Sequence, residues 1–102
     1  MPSEAAIFAA LGDETRLAIV ERLRTGPASI VNLTGAAHMS RQAVTKHLHV
    51  LEKAGLVTHL RLGRTTVWQL ERPRFDDARH YFDIISRQWE GAMERLRAHV
   101  EN

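Results

Sequence analysis

The chain predicts a mainly α-helical fold that carries one small β-hairpin, and three stretches predict it. Residues 40–57 read as a capped amphipathic helix whose outward face is polar and basic. Two short strand-like runs joined by Gly63-Arg64 follow it directly. A closing stretch of about 26 residues then repeats apolar side chains at the helical period. With 102 residues and no linker or repeat, the chain is expected to form a single domain over 1–102. A core of that size often gains from oligomerisation.

Taken in order, Ser3 to Leu11 is a short helix that presents Phe8 and Leu11. Gly12 breaks it, and Asp13 suits the N-cap of a second helix reaching about Arg24, with Leu17, Val20 and Leu23 as its apolar side. Thr25-Gly26-Pro27 ends that helix. A third, short helix lies near Val31 to Ala37. His38 then occupies a turn where a left-handed residue is expected, a conformation His tolerates better than a β-branched residue would.

The next helix, about 40–54, carries the strongest signal. Ser40 is a good N-cap, because its hydroxyl accepts from a free backbone N–H of the first turn. Gly55 and Leu56 suit the left-handed stop and its apolar contact. At 100° per residue Val44, Leu48 and Leu51 share one face, with Ala54 at its margin. Gln42, Thr45, Lys46, His49 and Lys53 share the opposite face, where Glu52 at the edge is the only acid. Amide and ammonium groups on such a face match base edges and phosphates in a DNA major groove. An ordinary solvated helix has the same outline.

The runs Val57–Leu62 and Thr65–Leu70 form a hairpin, the wing, over about 57–71. Its tip carries Arg61, Arg64, Thr65 and Thr66 with no acid nearby, which suits a phosphate backbone or a minor groove. A helix-turn-helix followed by a basic hairpin makes a winged helix-turn-helix the expected architecture.

Pro73 closes the hairpin, and the last helix is expected from about 74 to 99. Ala78, Tyr81, Phe82, Ile85, Trp89, Ala92, Met93, Leu96 and Val100 form its stripe. The remaining ~70 residues are too few to cover a helix of roughly 40 Å. Exposing that stripe would leave an unusually large apolar patch. The expected solution is a two-fold dimer through Phe8, Leu11, Tyr81, Phe82, Ile85, Trp89, Met93 and Leu96.

Leu11-Gly12-Asp13-Glu14-Thr15-Arg16-Leu17-Ala18-Ile19, the helix 40–57 and Gly63-Arg64-Thr65-Thr66-Val67-Trp68-Gln69-Leu70 together resemble the ArsR/SmtB family of bacterial winged-helix repressors. The likeness covers about residues 5 to 72 and is nearest to the cysteine-free, SdpR-like branch. It implies a homodimer that represses transcription and dimerises through its terminal helices. One departure falls at the third helix, where the family shows a capping residue and an acid while this chain has Ile30-Val31-Asn32. The family's terminal-helix metal sites use Asp-x-His and a second spaced His pair. Here the sequence is Asp76-Asp77-Ala78-Arg79-His80, with only the distant His99 beyond it. No metal site and no cofactor are therefore expected.

Composition narrows the function classes. No cysteine is present, so disulfides, thiolate metal sites and thiol redox switches are excluded. No export signal or membrane-length apolar run is visible, and a cytoplasmic protein is expected. Net charge is +2, but five cations against Glu52 give residues 38–66 a net +4, whereas five arginines face six acids from Arg74 onward. Basic character gathers where DNA would bind. The expected partner is double-stranded DNA, with Ser40, Arg41, Lys46, Arg61, Arg64 and Thr65 on phosphates or in the minor groove. Gln42, Thr45 and His49 would read bases. A winged-helix adaptor for other proteins and a His-based metal-responsive repressor are the alternatives, and a small-molecule inducer of unknown identity stays open. No nucleophile–base set or nucleotide loop points to an enzyme.

Overall fold

The computed structural model describes residues 3–101 and divides them into eight elements. They are α1 (Glu4–Leu11), α2 (Glu14–Leu23), β1 (Ala28–Ser29), α3 (Ile30–Ala37), α4 (Arg41–Lys53), β2 (Val57–Leu62), β3 (Thr65–Leu70) and α5 (Arg72–Glu101). The strands form one antiparallel sheet in the order β1-β3-β2. The architecture is the expected mainly α fold, with the hairpin enlarged to three strands because Ala28 and Ser29 pair with Trp68 and Val67.

The helix ends follow local chemistry. Ser3, Asp13, Ser29 and Ser40 are the N-caps, each accepting from the backbone N–H three residues on. Capped by Ser29, α3 starts at Ile30, one residue before the expected Val31, and Ile30 half-buries against the core. His38 takes the left-handed conformation (φ 54°, ψ 39°) between α3 and α4. At the end of α4 the Gly55 N–H donates to the Glu52 carbonyl and the Leu56 N–H to the Leu51 carbonyl. That is the Schellman pattern, and it needs a left-handed residue such as Gly55 (φ 81°).

Val44, Leu48 and Leu51 are wholly buried, as their spacing predicts, and Ala54 joins them. Ile7, Ile19, Leu33, Leu56 and Val57 complete the fully buried centre. On α2 the inward face differs from expectation. Ile19 and Leu23 are buried, whereas Leu17 is half exposed because the Ile19–Leu23 pair, one turn apart, is what meets the core. Two arginines fasten the helices together. Arg16 donates to the Ala9 (3.2 Å) and Ala10 carbonyls at the end of α1, and its guanidinium also faces His47 Nδ1 on α4 at 3.3 Å. Arg74 donates to the Ala54 and Ser3 carbonyls (3.4 Å each) and pairs with Asp77 at 2.9 Å, so the start of α5 is tied to α4 and to the N-terminus.

The last helix is longer than expected, beginning at Arg72 and ending at Glu101. Pro73 lies inside its first turn, where a missing N–H removes no helical hydrogen bond. Only its base is anchored: Ala78 is buried and Phe75 packs on the core. Tyr81 and Phe82 still meet Phe8 of α1, and beyond them the helix extends away from the body, giving a molecule 69 × 24 × 22 Å with a radius of gyration of 18.3 Å. A compact chain of this length would have about 13 Å. Among the described residues no helix is long and apolar enough to cross a membrane.

Asp13 gives a pH test of this scaffold. Its carboxyl is held below the ordinary value of 3.8, chiefly by the Arg16 backbone N–H, with a smaller contribution from the Arg16 charge and some opposition from desolvation. A folded value below the unfolded one adds stability that is fully present above about pH 4 and is lost as pH falls through the folded value. Asp13→Asn should therefore flatten the acid limb of a plot of urea midpoint against pH. An acid limb identical to that of the wild type would remove Asp13 from that role.

Candidate nucleic-acid interface

Once its apolar stripe is buried, α4 has no choice about which side chains face solvent. Arg41, Gln42, Lys46, His49 and Lys53 are exposed, and Thr45 is half-buried. Among the described residues the side chains of Arg41, Gln42, Lys46 and Arg64 form no intramolecular hydrogen bond, so their donors are free for a ligand. Others are partly committed. The Ser40 hydroxyl accepts from the Ala43 N–H at 3.2 Å as the cap and keeps its own hydrogen to donate. The Thr45 hydroxyl donates to the Arg41 carbonyl at 2.8 Å, which leaves its lone pairs and methyl for a base.

The wing lies beside this helix. Residues 57–62 and 65–70 pair as the expected hairpin, in a register that runs from Val57 opposite Leu70 to Leu62 opposite Thr65. Of the two loop residues only Gly63 has positive φ (65°), the pattern of a type II′ turn. Arg61 donates to the Gly63 carbonyl at 3.1 Å and so folds back over that turn.

Between α4, the start of α3 and the wing runs an open groove of about 620 Å³. Arg41, His49, Arg61, Arg64 and Thr65, all expected from the sequence, line it together. Ser40, Gln42, Thr45 and Lys46 do not; they lie on α4 outside the lining. Thr66, expected at the wing tip, lines it too, and the structure adds Ser29, Ile30, Val31, His59 and Trp68. Val31 is 71% exposed, an apolar side chain with no packing role. The contribution of β1 and α3 was illegible because a two-residue strand has no periodicity. No carboxylate lines the groove, and three guanidinium groups do. Its chemistry suits a polyanion.

A second surface runs along α5. Tyr81, Phe82, Ile85, Trp89 and Leu96 are exposed, Trp89 by 64%, while Met93 is half-buried. Phe8 and Leu11 are half-buried against the chain's own core, and the Phe8 ring lies 5.8 Å from Tyr81 and 5.0 Å from Phe82. The apolar patch therefore continues from α1 onto α5. Asp76 and His80 share a face of α5, and Asp76 sits 3.9 Å from the Arg72 Nε. Among the described residues no three His, Asp or Glu side chains converge as metal ligands would.

A helix-turn-helix with a basic wing on its flank defines a winged helix-turn-helix protein. Comparison with known proteins extends this: residues 11–59 match the helix-turn-helix domain family. The chain is 47% identical over 62 residues to the HTH-type transcriptional regulator Rv2034 of Mycobacterium tuberculosis, across 61% of this chain and 58% of that protein. It is 44% identical to the uncharacterized HTH-type transcriptional regulator YuzN of Bacillus subtilis, across 61% of this chain and 75% of that one. An ArsR-like transcriptional regulator from Rhodococcus sp. RHA1 superposes with a TM-score of 0.83 at 30% identity, covering 91% of this chain and 88% of that structure. The chain belongs to the ArsR/SmtB family of winged helix-turn-helix regulators. It spans little more than half the length of the Rv2034 regulator.

Proposed function

We propose that this chain is a homodimeric, sequence-specific DNA-binding transcriptional repressor acting in the cytoplasm on a pseudo-palindromic operator. The observation that supports it most is the groove between α4 and the wing, lined by Arg41, Arg61 and Arg64, whose nearest acid, Glu52, lies behind His59 and is bonded to it. It adjoins a helix face whose Gln42 and Lys46 have free donors. In this reading α4 enters the major groove. Gln42 reads a base edge, with Thr45 and His49 as further base contacts, and Ser40, Arg41 and Lys46 hold phosphates. The wing lays Arg61, Arg64 and Thr65 along the flanking backbone or minor groove.

Two half-sites need two copies. The stripe from Tyr81 to Leu96, together with Phe8, suits pairing with its symmetry mate, because an isologous contact buries the same apolar patch twice. Leu11 is already half-buried within its own chain and would extend that contact.

Binding to a duplex selected by the protein should weaken steeply with salt, with a log–log slope of about −0.9 per phosphate neutralised. Lys46→Ala should weaken selected and random duplexes alike. Gln42→Ala should relax discrimination by about 1–3 kcal/mol, as loss of a bidentate base contact does. Equal losses on both duplexes for Gln42→Ala would remove it from base readout.

The dimer is tested by Leu96→Asp, which places a charge on an exposed position of the stripe and leaves the intrachain core untouched. It should yield a folded monomer in sedimentation, with operator affinity far below that of the wild type. A wild type that sediments as a monomer at micromolar concentration would contradict the dimer.

A further inference from the structure

Beyond its base, where Val57 and Trp68 are buried in the core, the wing is weakly attached to the helix it must work with. β2 is an edge strand, and β1 pairs only with Val67 and Trp68, so the outer hairpin from Arg61 to Thr66 is held by its own ladder alone. A free two-stranded hairpin is marginal in water. Val57 is buried and Thr58 donates to Glu71 at 2.9 Å, but from His59 outward β2 is exposed. At that point Glu52, the one acid near the basic face of α4, reaches across. Its Oε2 lies 2.5 Å from His59 Nδ1, and this is the single hydrogen bond between α4 and the wing among the described residues.

The surroundings make this contact directional. His59 sits opposite Trp68 in the ladder, with ring centroids 4.7 Å apart, so its plane is set by stacking. His49 approaches the same Trp68 edge-on at 6.1 Å, and its Nδ1 is 3.6 Å from Glu52 Oε1, too long for a hydrogen bond. A carboxylate only accepts, so the hydrogen on His59 lies at Nδ1. An acid beside a DNA-facing surface repels phosphate, and its use as a tether explains its place there.

From the proposed DNA-binding reading, we infer that Glu52 is a positioning residue: its hydrogen bond to His59 sets the wing against α4, so that the wing reaches flanking DNA while α4 occupies the major groove. Glu52 touches no DNA in this arrangement. It acts through His59, and its removal should cost the contacts made by the wing while sparing those made by α4.

The test uses the full chain and a duplex that the wild type enriches from a random-core pool, at full length and trimmed by about half a helical turn, or five base pairs, at each end. The wild type should bind the full-length duplex more tightly than the trimmed one. In Glu52→Ala and in His59→Phe, which keeps an aromatic ring on Trp68, that ratio should fall toward one. Glu52→Gln keeps an acceptor and should restore it, and the Glu52→Ala, His59→Phe double variant should be no worse than either single. Long-range ¹⁵N spectra of the free protein at alkaline pH should show the His59 hydrogen on Nδ1 in the wild type and in Glu52→Gln, and not in Glu52→Ala. A ratio unchanged in Glu52→Ala, an equal loss on both duplexes, or a wild-type hydrogen on Nε2 would overturn the inference. A wild type that enriches no duplex would overturn the DNA-binding reading itself and the wing's role with it.

Discussion

Complete burial of Val44, Leu48 and Leu51 is the constraint from which the rest of this molecule follows. Three wholly enclosed side chains on one face of a 13-residue helix leave it a single rotational setting about its axis. Turning α4 to hide Gln42 or Lys46 would expose that apolar surface, at roughly 25 cal/mol for each Å². The basic face points outward for the same reason that the apolar face points inward. The neighbouring elements hold the setting: Ser40 and Gly55 fix the helix ends, and Arg74 lies over Gly55, where a Cβ would come within 3.1 Å of its side chain. Gly55 is thus favoured by its backbone angle, and a Cβ there would also crowd the Arg74 side chain.

The residues that carry the family resemblance divide by physical task. Most of the Leu11 to Ile19 segment builds the scaffold. Asp13 starts α2, Arg16 closes the carbonyl end of α1 and reaches His47 on α4, and Ile19 fills the core. None of these three lines the groove. The side chains with free donors sit on α4 and the wing, at exposed positions where packing does not restrict identity. A shared fold therefore says more about how α4 is held than about which bases it would meet.

The last helix shows what a small core cannot do. Its first turns are absorbed by the domain through Phe75 and Ala78. Its remaining apolar side chains have no intrachain surface to meet, apart from the rings around Phe8. A monomeric protein rarely displays so continuous an apolar strip, since each exposed Trp or Leu forgoes its burial energy. The elongated shape is thus a direct consequence of a 30-residue helix attached to a body of about seventy residues.

Much of this was legible in the chain itself, because it depends on neighbours three or four residues apart. The caps Ser40 and Asp13, the stop at Gly55, the left-handed His38, the hairpin turn at Gly63-Arg64 and the inward face of α4 are all local facts. Of the groove, Arg41 and His49 could be named in advance from charge and helical spacing, and Arg61, Arg64, Thr65 and Thr66 from their place at the hairpin tip. The tertiary structure alone decided the rest. Ala28 and Ser29 become a strand only because Trp68 and Val67 offer a free edge, and Ser29 then caps α3 so that it starts one residue earlier than expected. Leu17 gives way to Ile19 because the core lies on that side of α2. His59 meets Glu52, seven residues away, only when β2 turns back beside α4. Periodicity along a chain orients one helix or one strand, but which faces meet is set by how the elements pack.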